Sequence, residues 1–207
     1  MQPMDITTML LDFGGVVAEE GFHEGLLAIG KRNGLDPETF FRTVDRLIFD
    51  SGYLTGQAPE AAFWDAVRIA TGVAGADEGL KEEILPRFII RAEMLDAADR
   101  LRKAGLTVAM LSDQTDWLEE IDRRTGLFRH FDRVFNSYCM HKSKRDASVF
   151  DDVCTALGAR PAAVLFVDDN AGHIERAASR GLQVHHFTAM ETFLSRVEDL
   201  LRKAGGT

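Results

Sequence analysis

The stretch Met9-Leu10-Leu11-Asp12-Phe13-Gly14-Gly15 decides how this chain is read. An apolar run that opens at Ile6 delivers a carboxylate, and then two residues with almost no side chain follow. A short apolar run stopped by glycine reads as a buried strand, Ile6 to Leu11. The aspartate at its end is either a turn residue or a carboxylate aimed at a ligand, with bare backbone beside it to let that ligand approach.

Outward from that strand the pattern changes twice. From about Phe22 to Ala92 the period is helical, in LLAIGKRNG (26–34), FFRTVDRLIFD (40–50), AAFWDAVRIA (61–70) and LKEEILPRFIIRAEML (80–95). Gly34, Gly52, Gly56 and Gly72 break it, and Asp36-Pro37-Glu38 is a helix start with an acid at the N-cap and proline behind it. No strand is expected there, so the stretch reads as a helical insert. Beyond it helices and strands alternate. LDAADRLRKAG (95–105) is a helix, LTVAMLS (106–112) a strand, DWLEEIDRRTG (116–126) a helix and RVFNS (133–137) a short strand. DASVFDDVCTALG (146–158) is a helix, AAVLFVDD (162–169) a strand, IERAASRG (174–181) a helix, LQVHHF (182–187) a strand and METFLSRVEDLLRKAG (190–205) a terminal helix. This alternation predicts an α/β fold with right-handed crossovers and a mostly parallel sheet.

Composition narrows the class. With 207 residues, 45% apolar and 28% charged, the chain suits one large domain or a core with an insert. The net charge of −9 disfavours nucleic acid and anionic membrane as partners, though a small anion can still enter a basic pocket. Cys139 and Cys154 are the only cysteines, too few for a disulfide framework or a metal cluster. No basic segment precedes an apolar stretch at the N-terminus, and no apolar run approaches the ~20 residues that span a bilayer. A reduced, cytoplasmic protein is expected.

In parallel sheets ligands bind at the carboxyl ends of strands. Asp12 stands there after the first strand, Ser112-Asp113-Gln114 after the second, and Asp168-Asp169-Asn170 after a later one. Three carboxylates on one edge repel unless a cation sits among them, and oxygen donors without His or Cys favour Mg²⁺. A lysine from the basic knot HKSKRD (141–146) would offset the remaining charge and hold a phosphate. An aspartate so placed can serve as a nucleophile.

These residues carry a resemblance to the haloacid dehalogenase superfamily, most of whose members are Mg²⁺-dependent phosphohydrolases. LLDFGGVV resembles its first motif, VAMLSDQ the second, KSKRDASVF the third and VLFVDDN the fourth, in order and over nearly the whole chain. The insert resembles the family's small helical cap. Within it YLTGQAPEAAFW resembles a G-x-x-x-x-x-x-F-W signature of the branch holding glucose-1-phosphatase-like enzymes and the N-terminal phosphatase domain of soluble epoxide hydrolase. The resemblance implies a three-layer Rossmann-like core formed by residues 1–17 and 93–207, with a cap at 18–92. It implies Asp12 as nucleophile and Ser112, Asp113 and Lys144 on the phosphate, although Asp113 by itself reads as a cap or turn residue rather than a catalyst. It implies Mg²⁺ on Asp12, Asp169 and the Gly14 carbonyl, with Asp168 acting mainly through water.

The chain also departs from that pattern. Where the family has a second aspartate, two residues after the nucleophile, this sequence has Gly14. That acid normally protonates the leaving oxygen and then activates water, help worth ~10²–10⁴-fold. Arg145 and Ala147 replace prolines, and Lys142 competes with Lys144, although the spacing to Asp146 and Phe150 favours Lys144. His141 and His173 stand where both are expected near the site, whereas His185-His186 reads as strand end and surface. Phe63-Trp64 reads as cap core, and His23 and Tyr53 are cap candidates for specificity.

The function these features imply is hydrolysis of a small phosphorylated metabolite through an aspartyl-phosphate, by a monomer or homodimer. Two alternatives stay open. A protein lacking the second acid could bind a phosphate ligand or a partner without turnover. A 2-haloacid dehalogenase would use the same nucleophile without metal, but Asp168-Asp169 and the absence of any Arg before Arg32 speak against it.

Overall fold

The computed structural model describes residues 5–205. Its strands are β1 (Thr8–Leu11), β2 (Thr107–Ser112), β3 (Arg133–Asn136), β4 (Val164–Asp168) and β5 (Gln183–His186). They form one sheet in the order β3-β2-β1-β4-β5, every neighbouring pair parallel. The chain lays strands outward on one side of β1 and then returns to the other side with β4. The order therefore reverses between β1 and β4, and a crevice opens at such a reversal above the strand ends.

Four helices separate β1 from the rest: α1 (Gly21–Arg32), α2 (Pro37–Asp50), α3 (Glu60–Thr71) and α4 (Asp77–Ile84). Then α5 (Ala92–Lys103) leads into β2, α6 (Trp117–Thr125) into β3, and α7 (Ser137–Met140) with α8 (Ser148–Leu157) into β4. Helix α9 (Ala171–Ser179) joins β4 to β5, and α10 (Met190–Gly205) follows.

Period-two alternation along each strand splits the core into two layers. Met9 and Leu11 of β1 join Met110 and Val167 in a cluster with Leu101 of α5 and Phe193 of α10. Leu10 turns the other way, with Leu111, Phe166, Phe150 of α8 and Ala177 of α9. The sheet is thus sandwiched between helices, a three-layer Rossmann-like α/β arrangement, as the alternation of elements predicts.

The inserted helices belong to the first cluster. Phe63 and Trp64 of α3 are fully buried, as their reading as core requires. Trp64 stacks on Trp117 of α6, ring centroids 6.0 Å apart at 24°, and the Tyr53 hydroxyl donates to Asp116 Oδ1 at 2.5 Å. Tyr53 is consequently a strut between insert and core, and not a specificity residue facing a ligand. His23 packs edge-on against Phe41.

Two expectations change. The helical reading of 80–95 fails in the middle: α4 stops at Ile84, a tight turn covers Leu85–Arg87, and the chain runs extended until α5. Pro86 lacks an N–H and cannot continue the helix. The extended piece crosses the chain leaving β1, in an antiparallel bridge between Ala18 and Ile90 with the Arg91 N–H on Val17 O at 2.9 Å. Ser137, expected in the third strand, instead opens α7, whose N-terminus is capped by the Asn136 side chain.

Leu10 is fully buried at the sheet centre. Leu10→Ala should lower stability by about 2–5 kcal/mol, read as a shift in the urea midpoint with an unchanged slope.

Candidate active site

Parallel register builds the site before any side chain is considered. Leu11 pairs with Val167, so Asp12 and Asp168 leave their strands side by side at the reversal. The Asp12 N–H donates to Val167 O at 2.9 Å and locks that register. Into the gap comes Lys144, from the loop before α8. Its ammonium lies 2.7 Å from Asp12 Oδ1 and 2.8 Å from Asp168 Oδ2, and the residue is only 1% exposed.

The loop is clamped to deliver it. Asp113 Oδ1 accepts the Lys144 N–H at 2.9 Å, and Arg176 Nε donates to the Lys144 carbonyl at 2.7 Å. Asp113, expected with Ser112 on the phosphate, lines the same cavity as Ser112, and its carboxylate holds the lysine loop. Lys142 is occupied elsewhere, paired with Asp152 and donating to Ser148 Oγ at 3.0 Å.

The glycine pair has a steric cause, different at each position. Gly15 has φ +76°, and a Cβ built on it would lie 2.1 Å from Asp169 Oδ2. The Asp169 carboxylate rests on bare backbone there, which only glycine permits. A Cβ on Gly14 would instead lie 2.9 Å from Glu20 Oε2. Arg91 ties the turn down by donating to the Gly15 and Val16 carbonyls at 2.5 and 2.7 Å.

One ammonium serves two carboxylates, and the balance is uneven. Burial works to raise the Asp168 carboxyl, but Lys144 and then His173 outweigh it and hold the group below the usual carboxylate range. His173 Nδ1 is 3.1 Å from Asp168 Oδ2, and the Asn170 N–H donates to Asp168 Oδ1 at 2.7 Å. Burial, followed by the charge of Asp168, pushes Asp12 well above the usual range despite Lys144. Burial and Asp168 raise Asp169 as well. Lys144, although burial disfavours its charge, is held above its ordinary value by Asp12 and Asp168. The edge carries more negative charge than its own cation offsets. Asp12, Asp168 and His173 bring ligand atoms within 4.8 Å of one another, and carboxylate oxygens are what a hard divalent cation takes.

Above these groups lies a cavity of about 410 Å³, within the ordinary range for small-molecule sites. Asp12, Gly14, Ser112, Lys144 and Asp169 line it together. So do residues not singled out from sequence, among them Glu20, Phe22, Asp45, Phe49 and Phe88 from the inserted segment. Burial foremost raises the Glu20 carboxyl, while the His23 N–H pulls against it. By surface area Glu20 is nevertheless exposed, so the upward push from burial is modest. His173 lines the cavity as expected. His141 does not: its Nδ1 faces the Thr55 carbonyl at 2.8 Å, on the seam with the insert. His186, exposed at the end of β5 as read, has its Nε2 2.9 Å from the Asp169 carbonyl.

Residues 8–180 match the haloacid dehalogenase-like hydrolase family, and the chain belongs to that family. It is 26% identical to enolase-phosphatase E1 of Synechococcus elongatus over 87% of this chain and 88% of that protein. It is 29% identical to bifunctional epoxide hydrolase 2 of Rattus norvegicus over 45% of this chain, a match that spans only 18% of that longer protein. A HAD family enzyme of Bacteroides thetaiotaomicron, solved in complex with magnesium and inorganic phosphate, shares the fold. Its TM-score is 0.72 at 23% identity, covering 89% of this chain and 96% of the other.

Lys144→Met keeps the side-chain length and removes the charge. Without the ammonium both carboxyls rise. An acid whose folded pKa exceeds its unfolded value contributes stability at low pH and loses it as the pH climbs from about 4 through the raised value. The variant should therefore lose about 3–5 kcal/mol at pH 8 and distinctly less at pH 5, measured by urea unfolding at both.

Proposed function

We propose that the protein is a Mg²⁺-dependent phosphatase of a small phosphorylated metabolite, working through an aspartyl-phosphate. The observation that carries this reading is the Lys144 ammonium held 2.7 Å from Asp12 at the floor of the cavity. It places a cation beside a nucleophile-type carboxylate where a phosphoryl group would sit. The family membership and the magnesium and phosphate complex of the Bacteroides enzyme support it.

Asp12 Oδ1 already accepts the Phe13 N–H at 2.7 Å and the Lys144 ammonium, so we assign the attack on phosphorus to Oδ2. Lys144 and the Ser112 hydroxyl hold the phosphoryl oxygens as charge moves onto them. Asp12, Asp169 and the Gly14 carbonyl would hold Mg²⁺, with Asp168 behind them through water. Bound there, the ion would offset the surplus negative charge and favour the anionic form of Asp12. Residues 18–92 act as a cap whose Phe22, Phe49 and Phe88 wall the substrate from bulk water. The surplus of carboxylates counts against 2-haloacid dehalogenation, which has no cation to absorb it. We place the enzyme in the cytoplasm, as a monomer or homodimer without nucleic-acid or membrane partners. Among the described residues no helix is long and apolar enough to cross a membrane.

With p-nitrophenyl phosphate, Mg²⁺ should support hydrolysis and EDTA should abolish it reversibly. Asp12→Asn should lose on the order of 10³-fold or more in kcat. Retained Mg²⁺ binding by calorimetry, with no turnover of that ester or of a metabolite panel, would instead favour a phosphate-binding protein.

A further inference from the structure

Cleavage of a phosphate ester leaves an alkoxide or phenoxide that departs slowly unless a proton reaches it, and the attacking water of the second step must lose one. The residue two positions after Asp12 cannot serve, because it is Gly14. Most carboxyls around the cavity are engaged. Asp113 holds the Lys144 N–H, Asp168 holds the Lys144 ammonium and His173, and Asp169 lies against Gly15 with the site's cation donors. Two remain on the cavity wall, Glu20 and Asp45. Asp45, on α2, has Arg145 as its charged neighbour.

Glu20 is placed differently. Its Oε2 stands 2.9 Å from the point where a Gly14 Cβ would be, with Phe88 Cε1 3.8 Å from that point. The carboxyl therefore occupies the volume that a side chain at position 14 would fill, beside the nucleophile. Its other oxygen, Oε1, accepts the His23 N–H at 3.4 Å, because Glu20 is the N-cap of α1. One oxygen anchors the side chain, and the other lies over Gly14 on the wall of the cavity that Asp12 also lines.

We propose that Glu20 is the general acid and base of this reaction, a carboxyl delivered from the start of α1 into the space left by Gly14. The proposal rests on the phosphatase reading. In the first step Asp12 Oδ2 bonds to phosphorus, the ester P–O bond breaks, and the Glu20 carboxyl proton passes to the leaving oxygen. In the second a water oxygen bonds to phosphorus and its proton returns to the Glu20 carboxylate. The Asp12–phosphorus bond then breaks with its electron pair on Asp12, and inorganic phosphate is released.

The test uses aryl phosphates of one shape and differing leaving-group acidity, from p-nitrophenyl to phenyl. Gln at position 20 keeps an oxygen for the His23 N–H, so Glu20→Gln should melt within a few degrees of wild type. It should lose less than tenfold in kcat on p-nitrophenyl phosphate, and about 10²-fold or more on phenyl phosphate. Asp45→Asn, at the cavity wall, should change every ester of the series by the same factor. The double variant Gly14→Asp/Glu20→Ala should regain at least tenfold on phenyl phosphate over Glu20→Ala alone. An equal loss on every ester, no loss on any, or a selective loss in Asp45→Asn would overturn the assignment. A wild type that hydrolyses neither an aryl phosphate nor any member of a metabolite panel would sink the phosphatase reading, and the proposal with it, whereas the other outcomes leave that reading standing.

Discussion

One ammonium between two buried carboxylates does not neutralise them. Lys144 satisfies Asp168, which His173 and the Asn170 N–H also favour, and leaves Asp12 short of positive charge. Around that shortfall the neighbourhood is organised. The sheet reversal puts the two acids side by side. Asp113 and Arg176 grip the lysine's own peptide groups from two further segments. Removing a buried charge partner costs more than forming the pair gains, so the lysine loop has little freedom to be elsewhere. The residual negative charge is also what makes the floor receptive to a hard cation.

The sequence made the strands legible because each is a short apolar run with a stop, and the acids legible because they sit where those runs stop. Asp12, Ser112 and Asp169 line one cavity for that reason, with Asp168 fully buried beside Asp12, and spacing alone picked Lys144 over Lys142. What escaped was whatever depends on a distant approach. Nothing in the sequence marks out Arg91 and Arg176 before the carbonyls they reach are known. Glu20 went unnoticed too: the structure makes it the N-cap of α1, and nothing in a one-dimensional pattern says that its other oxygen meets Gly14. His141 was misplaced for the converse reason: nearness in sequence to Lys144 did not bring its ring to the same side of the loop. The helix across Pro86 failed because apolar periodicity outvoted a missing N–H.

Gly14 and Gly15 look interchangeable on paper and are not. Gly15 is demanded by backbone and by the Asp169 carboxylate lying on it, a contact no side chain would survive. Gly14 faces the flexible end of a glutamate, which can move. The same dipeptide thus combines a rigid steric requirement with a position open to exchange, and the inserted segment brings a carboxyl over the glycine that has no side chain of its own.

The place of β1 in the sheet has a further consequence, for the order in which the chain can fold. Its two partners begin at Thr107 and Val164, so the central strand has no local pairing available. Closing so long a loop costs only a little more than closing a short one, since each doubling adds about 0.6 kcal/mol. Time is a different matter, because pairings between distant segments are slow to form. During synthesis Met9, Leu10 and Leu11 emerge before their partners and stay unpaired until the inserted helices and β2 have followed. An apolar strand left waiting is an aggregation hazard, and compact early folding of α1–α4 would shorten the distance it must wait across.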